Sequence, residues 1–165
     1  MEINIRHAVR ADVEALTTIY NHYVEHTPIT FDLEGKSVAQ RMQWFEQFDL
    51  TGRYQLLVAQ QGNNLVGYAN SSQFRVKAAY QTSVESTIYL HHECQAKGVG
   101  SALYAALFEQ LSKEDVHRVF AGVTLPNDAS LGLHRKFGFT PIGTFGEVGY
   151  KFKKYWDVAW FEKPL

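Results

Sequence analysis

Gln95-Ala96-Lys97-Gly98-Val99-Gly100-Ser101 is the stretch on which the reading of this chain turns. It follows a strand-like run, Val84-Glu85-Ser86-Thr87-Ile88-Tyr89-Leu90. After it, Ser101–Leu111 spaces Leu103, Leu107 and Leu111 four apart with Ala106 between them, which makes one apolar helical face. The order is strand, glycine-bearing turn, helix. Two glycines separated by one residue let the backbone approach a ligand and turn successive N–H groups inward. The helix start adds unpaired donors and a partial positive charge, and together these make a phosphate-binding turn. The stretch is not a Walker loop, because no Gly-Lys-Ser/Thr ends it, and it lacks the third glycine of the dinucleotide fingerprint. A plain helix-entry turn fits the same residues, so the rest of the chain must decide.

The 165 residues are expected to form one domain, 1–165, with a sizeable core. Hydrophobic residues at 45% and charged residues at 20% fit an ordinary globular protein. A net charge of −1 gives no overall attraction to nucleic acid or to an anionic membrane, and neither is expected as a partner. Met1-Glu2-Ile3-Asn4-Ile5-Arg6 has neither the basic start nor the apolar core of a signal peptide. No stretch approaches the roughly 18 apolar residues of a membrane span, so a cytoplasmic location is expected. Cys94 is the single cysteine, which excludes an internal disulfide. Its place beside the glycine turn invites pairing with His91 or His92 as a nucleophile, but it reads better as an incidental thiol near a pocket. The seven histidines show no zinc-like spacing, and no metal site is expected.

Along the chain, Ile3–Ala8 reads as a strand and Asp12 as the cap of a helix through Val13, Leu16, Ile19, Tyr20 and Tyr23. Pro28 breaks that helix, and Phe31 beyond it is either core or a wall over an acceptor pocket. Ser37 opens a second helix carrying Met42, Trp44, Phe45 and Phe48. Tyr54–Gln60 and Leu65–Phe74 are strands joined at Gly62-Asn63-Asn64. Gln73–Tyr80 is more polar; its Arg75 and Lys77 either stand in solvent or neutralise an anionic acceptor. Val84–His92 and Val116–Thr124 are strands, and Asn127-Asp128 caps a helix through Leu131, Leu133, His134 and Phe137 that Gly138 ends. Phe139–Phe145 and Asp157–Glu162 are the last strands, with Gly146–Tyr155 connecting them. The pattern predicts a mixed α/β (α+β) domain.

Gln95-Ala96-Lys97-Gly98-Val99-Gly100 resembles the Gln/Arg-x-x-Gly-x-Gly/Ala acyl-CoA pyrophosphate loop of the GNAT N-acetyltransferases. Asn127, then His134, then Phe137-Gly138-Phe139 look like their second signature, where a tyrosine often stands in the place of His134. Within that superfamily the chain is similar to the phosphinothricin and methionine sulfoximine acetyltransferases. The carrying stretches are Ile19-Tyr20-Asn21-His22-Tyr23, Val84–Tyr89, Leu125-Pro126-Asn127-Asp128, Gly149-Tyr150-Lys151 and Trp156-Asp157-Val158.

The resemblance implies a splayed mixed sheet, with acetyl-CoA entering between Val84–His92 and Val116–Thr124, and a homodimer. It implies acetylation of the α-amino group of small amino-acid analogues such as phosphinothricin, methionine sulfoximine or methionine sulfone. An acetyltransferase for a protein or peptide amine, or an acyl-CoA sensor without turnover, are the competing readings. Gln95, Ala96, Lys97, Gly98, Val99, Gly100, Ser101 and Asn127, with the backbone at Ile88, Tyr89 and Leu90, are the expected cofactor contacts. Glu85, a carboxylate in an otherwise apolar strand, is the candidate general base; the competing reading pairs it with Arg75, Lys77 or Lys151. His134 either protonates the departing thiolate or serves as a cap or pocket wall, with Tyr104 and Tyr89 as weaker alternatives for the acid. Phe31, Arg75, Lys77, Tyr80 and Glu85 are the expected acceptor contacts.

Overall fold

The computed structural model describes residues 2–94 and 96–165. Its strands are β1 (Ile3–His7), β2 (Leu56–Gln61), β3 (Asn64–Gln73), β4 (Ser83–Leu90), β5 (Arg118–Thr124), β6 (Thr140–Lys151) and β7 (Lys154–Pro164). They lie in one sheet in the order β1-β2-β3-β4-β5-β7-β6. The helices are α1 (Val13–His26), α2 (Val38–Phe45), α3 (Val99–Leu111) and α4 (Asp128–Lys136). Only β4 and β5 run parallel; every other neighbouring pair is antiparallel. This is the mixed sheet that the sequence predicts.

The two faces of the sheet bury different clusters. Leu103, Leu107 and Leu111 of α3 are fully buried against Ala69, Val84, Val119 and Ala121. On the opposite face Leu16 and Ile19 of α1 meet Leu56, Val58 and Tyr68. Strand alternation divides β4 in the same way. Val84 and Ser86 point towards α3, while Tyr89 packs among Tyr20, Tyr23 and Tyr68 on the α1 side.

Local chemistry explains most of the element ends. Ser37 and Gln40 form a reciprocal capping box at the start of α2. α2 stops at Phe45, so Phe48 lies beyond the helix. Gly98 has φ +84°, a conformation open to glycine, and lets α3 begin at Val99. Asp12 departs from its expected role. Its carboxylate takes two hydrogen bonds from the Arg6 guanidinium, at 2.7 and 2.9 Å, and none from the first turn of α1. A bidentate, charge-assisted pair outcompetes a neutral N–H cap.

The connection expected over Gly146–Tyr155 is instead strand on both sides of a tight turn at Phe152-Lys153. The pairing slips between Phe145 and Gly149, with Glu147 at φ 52°. Such a bulge puts an extra residue into the strand and breaks the two-residue alternation by which strands are read.

The fully buried α3 face predicts a large stability cost at its centre. Leu107→Ala is expected to lose about 2–5 kcal/mol in urea unfolding followed by circular dichroism. A loss below about 1 kcal/mol would mean that this face is not packed as described.

Candidate active site

The register between β4 and β5 covers three rows only, Ser83–Arg118, Val84–Val119 and Glu85–Phe120. β4 continues to Leu90 on β3, and β5 continues to Thr124 on β7, so the two strands part after Glu85. The His91 N–H donates to Val66 on the β3 side. Antiparallel alternation then turns the backbone groups of Ser86, Ile88 and Leu90 towards the gap. Tyr23 takes up one of them, donating from its hydroxyl to the Leu90 carbonyl at 2.6 Å.

A cavity of about 190 Å³ fills the fork. Ile88, Tyr89, Leu90, Gly100, Asn127 and His134 all line it. Gly100 is the point where the turn meets the cleft: a Cβ built there would stand 3.5 Å from Leu133 and 3.6 Å from Ile88. Asn127 caps α4, accepting from the Ser130 N–H at 3.1 Å. Ala96, Lys97, Gly98 and Val99 lead into α3, with Lys97 and Gly98 exposed and Val99 buried. Ser101 Oγ accepts from Lys136 Nζ at 2.9 Å, which ties the first turn of α3 to the last turn of α4. Gln95 lies outside the described residues. A turn without side-chain bulk, a helix start and unpaired strand amides fit an extended carrier with a diphosphate and amide groups.

Beside the cleft stands a chain of hydrogen bonds. His134 is buried, and its Nδ1 lies 2.7 Å from the Ser130 carbonyl, so Nδ1 carries the proton and donates. Burial lowers the His134 pKa, opposed by that bond, and the ring stays neutral. Its Nε2 therefore accepts from the Tyr104 hydroxyl at 3.1 Å. Ser86 Oγ lies 3.4 Å from the same phenol oxygen. Burial also pushes the Tyr104 phenol well above its usual pKa.

Glu85 occupies the last paired row of the fork, between Ser72 and Phe120. Among the described residues no basic side chain forms an ion pair with it. Burial alone raises its pKa above the ordinary carboxylate range. Lys151 gives its ammonium proton instead to the Thr30 carbonyl at 2.8 Å. Phe31 lies against Gly149, where an added Cβ would fall 2.2 Å from the ring. The loop after α1 is therefore seated on β6.

Arg75, Lys77 and Tyr80 are not gathered at the cleft. All three are exposed on the β3–β4 connection, and the Arg75 guanidinium lies 5.0 Å from the Phe74 ring. Arg75 borders a separate apolar hollow with Phe74, Phe120, Phe145 and Trp160. The cations that the tertiary structure does bury are Arg41, at 6% exposure, and Lys151, at 4%, and no sequence argument singles out Arg41. An Arg four residues into a short amphipathic helix reads as solvated. Among the described residues, no group of three or more His, Cys, Asp or Glu converges as metal ligands. No helix among the described residues is long and apolar enough to cross a membrane.

The acetyltransferase (GNAT) domain family matches residues 5–160. A phosphinothricin N-acetyltransferase of Streptomyces coelicolor is 48% identical over 166 residues, covering 99% of this chain and 97% of that protein. The L-methionine sulfoximine/L-methionine sulfone acetyltransferase of Salmonella typhimurium is 32% identical, covering 99% of this chain and 95% of that one. The crystal structure of a GNAT superfamily phosphinothricin acetyltransferase from Sinorhizobium meliloti, in complex with AcCoA, matches with a TM-score of 0.94. It is 31% identical, over 100% of this chain and 89% of that one. Parted strands, a glycine turn at the head of α3 and a family match over nearly the whole length lead to one conclusion: the chain belongs to the GNAT acetyltransferase family.

Proposed function

We propose that the chain, as one catalytic domain, is an acetyl-CoA-dependent N-acetyltransferase for the α-amino group of small amino-acid analogues. Phosphinothricin, methionine sulfoximine and methionine sulfone are the acceptors that the names of its relatives point to. The observation that carries the reading is the fork itself. Pairing between β4 and β5 ends at Glu85, and the gap opens directly beyond it, lined by the next residues Ser86–Leu90.

The chemistry follows from what these residues can do. An α-amino group titrates near about 8, so at neutral pH most acceptor is ammonium and cannot attack. Glu85, ionised but desolvated, takes that proton directly or through one water. The amine then attacks the thioester carbonyl, and backbone N–H groups of Ser86, Ile88 and Leu90 facing the gap are placed to stabilise the oxyanion. Collapse expels the CoA thiolate, which takes up the second proton shed by the nitrogen as the amide forms; its thiol has a pKa of about 8.5 by analogy with cysteine. The Tyr104 phenol is a weaker acid still, so it stays protonated; its one proton is held by His134 Nε2, and it donates to the sulfur only by turning away from that ring. Neutral His134 has no proton on Nε2 to give the thiolate and instead holds the Tyr104 hydroxyl. Direct transfer needs no enzyme nucleophile, which leaves Cys94 without a covalent role.

The dimer belongs to the same reading. β6 pairs with β7 alone and leaves its outer edge open. Ile142, Phe145 and Val148 on it are each more than half exposed. An open edge with large apolar side chains is suited to a second copy. The location proposed is the cytoplasm.

Glu85→Gln is expected to lower kcat/KM by about 10²–10⁴-fold at pH 7 while calorimetry shows unchanged acetyl-CoA binding. In the wild type, activity should rise with pH through a Glu85 pKa above the ordinary carboxylate range. That limb should vanish in the variant. The folded state also holds this proton more tightly than the unfolded chain, so Glu85 costs stability once pH rises past its unfolded value. The variant should therefore melt higher than the wild type at pH 8, and the two should converge in acid. Unchanged turnover in the variant would remove Glu85 as the base. For the dimer, light scattering should give twice the chain mass for the wild type and one chain mass for the double variant Ile142→Lys, Phe145→Glu; a monomeric wild type would sink the assignment.

A further inference from the structure

Past the Glu85–Phe120 row, β5 presents two unlike faces. Val119, Ala121 and Val123 are buried in the cluster that α3 covers. Strand alternation puts Phe120, Gly122 and Thr124 on the opposite face, the one that also carries Glu85 and Thr87 of β4. Gly122, the single glycine of β5, is the first position on this face beyond the last paired row. It lines the cavity of the fork together with Ser86 and Thr87, the first residues of β4 beyond the same row. Strands that part from that row are closest together there, so these three residues form the narrow end of the fork. Leu90, Gly100 and Asn127 line its mouth.

The indole of Trp160 stands where a side chain at position 122 would be. Trp160 of β7 pairs with Gly122 on one side and with Gly143 of β6 on the other, so this large ring has a glycine on each neighbouring strand. It leans one way only. A Cβ built on Gly122 would meet the indole Cζ2 at 3.1 Å and Cε2 at 3.2 Å, whereas one built on Gly143 would meet nothing within 4 Å. The ring is therefore folded over Gly122, towards the fork. The Phe74 ring packs against it at a steep angle, 6.3 Å between centroids. Trp160 also lines the apolar hollow with Phe74, Phe120 and Phe145, while Gly122 lines the fork, so the indole stands between the two spaces. An indole has a large contact area and few torsions, which makes it a stiff wall.

We infer that Trp160 is the acyl-length determinant of the donor site, its indole closing the narrow end of the fork over Gly122 so that an acetyl group fits and a longer acyl chain does not. The inference rests on the acetyltransferase reading above and adds what limits the transferred group. A carrier held by its diphosphate at the Gly98–Gly100 turn enters at the mouth, so its thioester end is directed towards Ser86, Thr87 and Gly122. The acetyl methyl ends in front of the indole, and each further methylene has to displace the ring. An apolar wall of this kind discriminates by about 10–200-fold per methylene.

Two donors test this with phosphinothricin as the acceptor: kcat/KM for acetyl-CoA divided by kcat/KM for butyryl-CoA, whose acyl chain is two methylenes longer. The wild type should prefer acetyl-CoA by about 100-fold or more. Trp160→Leu removes the wall and should lower that ratio by about tenfold or more. A wild type that uses both donors equally well, an unchanged ratio in the variant, or an equal loss on both donors would overturn the inference, because an indole that only fills the fold cannot read acyl length. Should Trp160→Leu prove insoluble, Trp160→Phe keeps a ring beside Phe74 but loses the reach of the indole over Gly122, and the same ratio is expected to fall in it. Calorimetry with each thioester and no acceptor gives an independent reading: the wild type should bind acetyl-CoA more tightly than butyryl-CoA, and the difference should shrink in the variant. A wild type that discriminates in binding yet acetylates no amino-acid analogue would defeat the acetyltransferase reading and leave Trp160 standing. A wild type that acetylates phosphinothricin with the same donor ratio before and after substitution would do the reverse.

Discussion

Beyond Glu85, one edge of β4 runs on without a neighbouring strand. Unpaired backbone groups inside a protein are unfavourable unless something else satisfies them, and this sheet is built so that a thioester carrier can do so. β4 is held along its whole length by β3, and β5 by β7, so neither strand needs the other to stay extended. The fork can then remain open without loss of the sheet. Everything with a chemical role is placed relative to it: Gly100 and Asn127 at its rim, Tyr104 and His134 along one wall, Glu85 where it closes.

The two faces of β4 divide the labour. Even-numbered residues meet α3, where Ser86, Tyr104, His134 and Ser130 form a satisfied chain of neutral groups beside the donor cleft. Odd-numbered residues face α1 and α2, where Thr87 and Tyr89 line a polar cavity bounded by Arg41, and Glu85 lies across from Ser72. The desolvation that lifts the Glu85 pKa and lowers that of His134 has one physical origin, burial, and it acts oppositely because one group is charged when deprotonated and the other when protonated.

Residue patterns with local causes were legible in the chain itself. The Gly98–Gly100 turn before the Leu103, Leu107, Leu111 stripe marks a helix entry by backbone freedom and periodicity alone. Asn127 before α4 and Ser37 before α2 are caps by short-range hydrogen bonding. Glu85 stood out because a carboxylate is out of place in a β-branched run. Local reasoning failed where a distant partner competed. Arg6 drew Asp12 away from its helix, and a bulge hid the continuity of β6 through Gly146 and Gly149.

The amino-acid order thus determined the elements, the glycine turn and the odd carboxylate, since propensity, capping and spacing act over a few residues. Tertiary structure decided where the strands part, that Tyr104 sits between Ser86 and His134, and that Arg41 is buried while Arg75 is exposed. Burial is a property of what packs around a side chain. The groups around Arg41 come from α1, α2 and two strands, which only the folded sheet brings together.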